Sequence, residues 1–179
     1  MGPEGGERGG TVIATGTPEE IVDIHQVAAE TDVVDFIDLE YFEAKKPEKE
    51  IRILQEMGVH VIASHHDFEQ TPERGVIRML LEQIRESGAD VVKLAVMPQS
   101  MQDVLDLLEE TNAFHEKYPD KALITMSMGA LGAISRVSGE FFGSCVTFGA
   151  GEQASAPGQL PMGELEQLLG ILHKSISRC

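Results

Sequence analysis

Tryptophan is absent from this 179-residue chain, and there are only two cysteines, Cys145 and Cys179. One lies in a strand-like run and the other is the last residue. They form neither a metal-ligand spacing nor a disulfide framework. A reducing, cytoplasmic setting fits that usage. Basic residues are scarce: 14 Lys+Arg stand against 30 Asp+Glu, a formal charge of -16. Phosphate backbones and anionic lipid are bound by clustered lysine and arginine, so neither a nucleic-acid nor a membrane partner is expected. No apolar run is long enough to span a bilayer. Residues 1–10 are glycine-rich and polar and lack the apolar core of a signal peptide.

The length suits one domain with a substantial core. Gly2, Gly5, Gly6, Gly9, Gly10 and Gly16 crowd the first 17 residues, which read as a flexible segment ahead of a single domain over residues 18–179. Thr17-Pro18-Glu19-Glu20 carries the signals of a helix start: an N-cap, proline at the first position and acids in the first turn. From there strand and helix alternate. Strands are expected over residues 33–40, 59–64, 90–97, 122–128 and 145–150. Helices are expected over 47–57, 72–87 with Thr71 as cap, 100–117, 131–137 and 162–177. Short links between such elements argue for parallel βα units.

Against this background Lys93 stands out, in Val91-Val92-Lys93-Leu94-Ala95-Val96-Met97-Pro98. An ammonium group in an apolar strand loses hydration, which favours the neutral, nucleophilic amine of a Schiff-base lysine. Read alone, it is equally well a lysine snorkelling from an edge strand or paired with a carboxylate. His66 and Asp67 follow the second strand, Met126 and Met128 close the fourth, and Arg136 sits in the short helix beyond. Clustering at the carboxyl ends of parallel strands is where α/β folds build their sites. Each residue also has a plainer reading. His66 suits a turn, Arg136 suits a pair with Glu140 one turn on, and the two methionines suit a core. Asp38 and Glu40 share a face of the first strand. They either point inward as polar supports or flank a loop, and neither has an assigned role.

Four segments taken together are more specific: Ser64-His65-His66-Asp67-Phe68 with Thr71-Pro72, the Lys93 strand, Thr125-Met126-Ser127-Met128-Gly129 with Ser135-Arg136, and Thr147-Phe148-Gly149 with Ser155-Ala156-Pro157-Gly158-Gln159. In this order the chain resembles the type I 3-dehydroquinate dehydratases of the shikimate pathway. Glu4-Gly5-Gly6-Glu7 matches the segment that follows the third barrel strand in that family. The resemblance implies a lyase in which Lys93 forms an imine with the ring ketone of 3-dehydroquinate. His66 would take the neighbouring proton and return it to the departing hydroxyl, with Glu4 orienting His66. Arg136 would hold the substrate carboxylate. Ser155 and Gln159 would come from a loop over the ring, and Phe148 and Met126 would form the apolar wall. No metal and no organic cofactor is implied.

The family barrel has eight βα units, and this chain aligns with strands four to eight. The expected fold is therefore α/β, a truncated TIM-type barrel of about five parallel units. The Glu-x-Arg and Phe-Arg pairs that the family carries on its first three strands have no counterpart here. An open barrel side leaves strand edges unpaired, so either the glycine-rich N-terminal segment covers it or two copies pack together, and a homodimer is the first expectation. Loss of those contacts also keeps a second reading open: a catalytically impaired homologue that binds a small carboxylate or acts as an interaction module.

Overall fold

Residues 18–31 and 33–176 are described by the structure, a computed structural model. The elements follow in the order α1 (Pro18–Ala29), β1 (Phe36–Glu40), α2 (Pro47–Glu56), β2 (His60–Asp67), α3 (Arg74–Glu86), β3 (Val91–Val96), α4 (Met101–Lys117), β4 (Ala122–Ser127), α5 (Ala133–Val137), α6 (Gly139–Phe142) and α7 (Met162–Ile176). The strands make one parallel sheet in sequence order, β1-β2-β3-β4. A helix follows each strand, and neighbours in sequence are neighbours in the sheet. This is the winding of a TIM-type barrel wall, with four of the eight strands that such a barrel closes with.

Both faces of the sheet are covered, which is why β3 is buried at every position and, Lys93 apart, apolar on both sides. On the helix side, Ile37, Leu39, Val61, Ala63, Val92, Leu94, Val96 and Leu123 pack against α2, α3 and α4. Helix α3 offers Ile77, Leu80, Leu81 and Ile84, the i, i+3, i+4, i+7 spacing of one helical stripe. Helix α4 begins at a capping box: the Ser100 hydroxyl accepts from the Asp103 amide, and the Asp103 carboxylate accepts from the Ser100 amide. On the other face, Val91, Ala95, Ile124, Met126 and Met128 form a second cluster, with Phe148 and Met97 packed on it.

Three expectations require correction. Strand β2 runs to Asp67 and includes His66, because Leu94, Ala95 and Val96 of β3 pair with His65, His66 and Asp67. Ladder pairing overrides the polar composition of Ser64-His65-His66-Asp67. Helix α3 starts at Arg74, and Thr71 caps nothing: its Oγ1 is buried without a partner. The Asp67 carboxylate instead accepts the amides of Glu69 and Gln70, and the Gln70 carbonyl accepts from Met97. Those bonds hold the intervening chain as a loop.

The fifth strand, expected over residues 145–150, does not form. The Ser144 hydroxyl takes both the amide and the carbonyl of Thr125, the groups that a fifth ladder needs. Of the described backbone amides in this segment, that of Cys145 reaches β4, at the Leu123 carbonyl, and Ala150 makes an isolated bridge to Pro161. The described residues thus hold four parallel units rather than five. Residues 1–17, including Glu4 and the proposed cap Thr17, lie outside the described residues.

Candidate active site

Parallel register stacks the inward side chains in rows. Asp38, Ile62, Val91 and Ala122 form the lowest. Glu40, Ser64, Lys93 and Ile124 form the next, and His66, Ala95 and Met126 lie above them, toward the carboxyl ends. Lys93 and His66 therefore share a face because each is an even number of residues from the same paired position. The lysine is 7% exposed. Its Nζ lies 2.5 Å from Asp38 Oδ2 and 5.2 Å from the centre of the Phe148 ring. An ammonium over an aromatic face is attracted by the ring quadrupole.

His66 is held by Glu40. Its Nδ1 lies 2.6 Å from Glu40 Oε2, and its amide donates to Oε1 at 3.2 Å. His65, on the opposite face, brings its own Nδ1 to 3.1 Å from Oε1. Burial pushes the Glu40 pKa up, but the hydrogen bonds and charge of His66, with help from His65, outweigh it and hold the carboxyl below its ordinary range. The Phe68 ring stacks on His66, with centroids 5.8 Å apart.

Arg136 is 1% exposed and has no carboxylate partner among the described residues. Its Nη2 donates to the Pro157 carbonyl at 2.9 Å, Nη1 lies 3.8 Å from Met126 Sδ, and Nε is buried without a partner. Burial lowers its pKa from the ordinary value. The pair with Glu140 is not made; Glu140 accepts from His173 instead. The loop that meets Arg136 also carries Ser155 and Gln159, whose side chains hydrogen-bond each other at the surface. Gly158, at φ +78°, packs its α-carbon against Gly129 so closely that a Cβ there would stand 2.3 Å from the Gly129 carbonyl oxygen. Glycine is what lets the loop lie on the end of β4.

The structure thus brings together Lys93 with Phe148, and Arg136 with Met126, along one set of strand ends. His66 lies in the Met126 row. Asp38 and Glu40 complete the group; the sequence reading gave them no role. Their signal was the alternation of acids in Phe36-Ile37-Asp38-Leu39-Glu40, which puts both on the inward face of a half-buried strand. Among the described residues no group of three His, Cys, Asp or Glu side chains is placed to hold a metal ion. Nor is any helix among the described residues long and apolar enough to cross a membrane.

The model of the type I 3-dehydroquinase family matches residues 4–176. The chain belongs to that family. It is 46% identical over 157 residues to a 3-dehydroquinate dehydratase of Bacillus licheniformis, an alignment covering 86% of this chain and 61% of the relative. The chain therefore spans less than two thirds of that relative's length. Among solved structures, the 3-dehydroquinate dehydratase of Geobacillus kaustophilus superposes with a TM-score of 0.85 at 36% identity, over 93% of this chain and 64% of its own. The type I enzyme of Clostridium difficile, solved with covalent modified comenic acid, gives 0.84 at 41% identity, over 94% and 66%. The type I family accounts for the parallel βα winding.

Proposed function

We propose that the chain carries the Schiff-base half of a type I 3-dehydroquinate dehydratase site and converts 3-dehydroquinate to 3-dehydroshikimate, a step of the shikimate pathway. The observation that carries this reading is Lys93: a lysine 7% exposed, on the inward face of a parallel sheet that also carries Met126, the neighbour of a fully buried arginine with no carboxylate partner among the described residues. Lys93 is compensated by Asp38, but a buried guanidinium without a carboxylate is costly unless an anion joins it. A keto acid supplies a carbonyl for the one and an anion for the other.

In the proposed reaction the neutral Lys93 amine adds to the ring ketone and water leaves, giving a protonated imine. That imine withdraws electrons from the adjacent carbon, so His66 can remove its proton and leave an enamine. The protonated His66 then donates to the departing hydroxyl as the enamine electrons expel it, and water is lost. Hydrolysis of the conjugated imine restores the lysine. Net, one water is released. Arg136 would fix the carboxylate with its planar fork, and Phe148 and Met126 would wall the ring. Ser155 and Gln159 would exchange their mutual bonds for the substrate. Glu4 would add a carboxylate near His66.

The same reading places the enzyme in the cytoplasm and pairs two copies. The support for pairing is β1, an edge strand among the described residues, whose Phe36 is 53% exposed. The test of the activity is a continuous absorbance assay for 3-dehydroshikimate, run on the chain and on Lys93→Ala. Turnover that vanishes with Lys93 is expected. Well-folded protein without turnover would overturn the catalytic reading.

A further inference from the structure

The Glu40 carboxylate touches two imidazoles at once, and the atoms it touches are the same on both. His66 Nδ1 lies 2.6 Å from Oε2, and His65 Nδ1 lies 3.1 Å from Oε1. The His66 amide occupies Oε1 as well, at 3.2 Å, and the Ser64 hydroxyl reaches Oε2 at 3.4 Å. Every one of these contacts needs the carboxylate as acceptor. An ionised carboxylate has no proton to give. A ring nitrogen without hydrogen would face it lone pair to lone pair, so each Nδ1 must carry the proton.

We propose that Glu40 is a positioning residue that fixes His66 in the Nδ1–H tautomer and so leaves Nε2 as the basic nitrogen. The inference rests on the reading of His66 as the acid-base group and names what prepares it. The register explains why Glu40 can do this and its neighbours cannot. Glu40 pairs with Ser64, so its side chain stands one row below His66 on the same face and reaches up to Nδ1. Asp38, two residues earlier, is engaged at 2.5 Å by Lys93. The two acids of β1 thus divide the work, one beneath the lysine and one beneath the histidine.

The His66 amide bond sets the carboxylate's position independently of the ring. Rotation of the imidazole about its bond to the chain therefore breaks one contact with Glu40 without moving the other. Phe68, stacked on the outer face of the ring at an interplanar angle of 9°, limits that rotation from above. His65 is bound to the same carboxylate from the far side of the strand. It holds Glu40 from behind. A catalytic histidine oriented through its remote nitrogen by a carboxylate is a recurring arrangement because the free nitrogen is then both aimed and basic.

The experiment is nitrogen-15 NMR of the imidazole rings in the full chain, at about pH 8.5, where an ordinary histidine with pKa about 6.5 is neutral. His66→Asn assigns the signal. The expected wild-type result is a proton on Nδ1 and a lone pair on Nε2 for His66, and the same for His65. In Glu40→Gln the amide can donate as well as accept, so the His66 ring is freed to carry its proton on Nε2, and a substantial Nε2–H population should appear. Glu40→Asp keeps an acceptor-only group and should retain more of the Nδ1–H form than Glu40→Gln. His66 found with its proton on Nε2 in the wild type would overturn the proposal, as would an unchanged tautomer in Glu40→Gln. Should Glu40→Gln fail to fold, His65→Phe replaces it: Nδ1–H retained there supports Glu40 as sufficient, and loss of it overturns that.

Turnover gives a separate readout. Glu40→Gln should lower kcat by about 10²–10⁴-fold, the range an acid-base group commands, with little change in KM. A chain with no turnover at all but with His66 in the Nδ1–H form would fail the dehydratase reading and leave the tautomer assignment standing.

Discussion

Asp38 and Lys93 meet across the strand that separates them, Oδ2 to Nζ at 2.5 Å. A lysine attacks a ketone only as the free amine, and the ion pair with Asp38 must open for it to do so. The two-step character gives a direct prediction. Borohydride added with 3-dehydroquinate should reduce the imine and leave a covalent adduct on Lys93, read by peptide mass. Lys93→Ala should take up nothing. An unmodified wild-type chain, with a full-length type I enzyme labelled in parallel, would count decisively against the imine.

Replacing His66 separates imine formation from proton transfer. His66→Ala should still give the borohydride adduct at Lys93, because the attack on the ketone does not use His66 as base. Its kcat should fall by about 10²–10⁴-fold, the usual contribution of a positioned acid-base group. Loss of the adduct together with turnover would place His66 in the attack itself and change the order of events.

How much of this was legible in the sequence depends on whether the information is local. Helix α4 was readable because Ser100 and Asp103 form a cap three residues apart. Lys93 was readable because all of its immediate neighbours are apolar. What could not be read is register. Whether His66 ends a strand or follows it depends on Leu94 and Ala95 lying opposite, 29 residues on in each case by the pairing. Glu40 was visible only as an acid sharing a face with Asp38, pointing inward or flanking a loop, because its bond to His66 spans 26 residues. The fifth strand failed for a similar reason: residues 145–150 look like a strand, but a single hydroxyl from Ser144 already occupies the backbone of Thr125. The pairing of Ser155 with Gln159 lay within one loop and was still missed, because both were read as facing a ligand.

Arg136 tests the binding half of the site. Its guanidinium is buried, and Nε has no partner. Arg136→Met keeps the length and the apolar packing while removing the charge. Each charge-assisted hydrogen bond is worth about 1.5–3 kcal/mol, so loss of the carboxylate contact should raise KM roughly 10- to 100-fold. A KM unchanged within a factor of about two would be far below one such bond and would remove Arg136 from substrate binding.

Pairing of two copies is checked by mass. The β1 edge presents backbone groups without a ladder partner among the described residues, flanked by exposed Phe36 and Val33. Light scattering at micromolar concentration should return a dimer, and Phe36→Lys, which puts a charge on that edge, should shift it toward monomer. A monomeric wild type at the same concentration would remove the homodimer from the reading.

The acid sensitivity of the fold should trace to Glu110. This residue of α4 is 2% exposed and accepts from Arg74 Nε at 2.9 Å and from Arg78 Nη2 at 2.8 Å. Burial pushes its pKa up, but the hydrogen bonds from Arg78 and Arg74 outweigh it and hold the group below its ordinary 4.5. The sign follows from linkage. A folded-state pKa below the unfolded one means that the unfolded chain binds the proton more readily, so the stabilisation is complete above the ordinary carboxylate value and is lost as the pH falls through the folded one. Glu110→Gln has no such proton to bind. The free-energy gap between wild type and Glu110→Gln, measured by urea unfolding, should stay constant from pH 7 down to about pH 5 and then narrow on further acidification. A gap that holds its width down to about pH 3 would show that Glu110 titrates alike in both states and that the arginine clamp leaves its pKa alone.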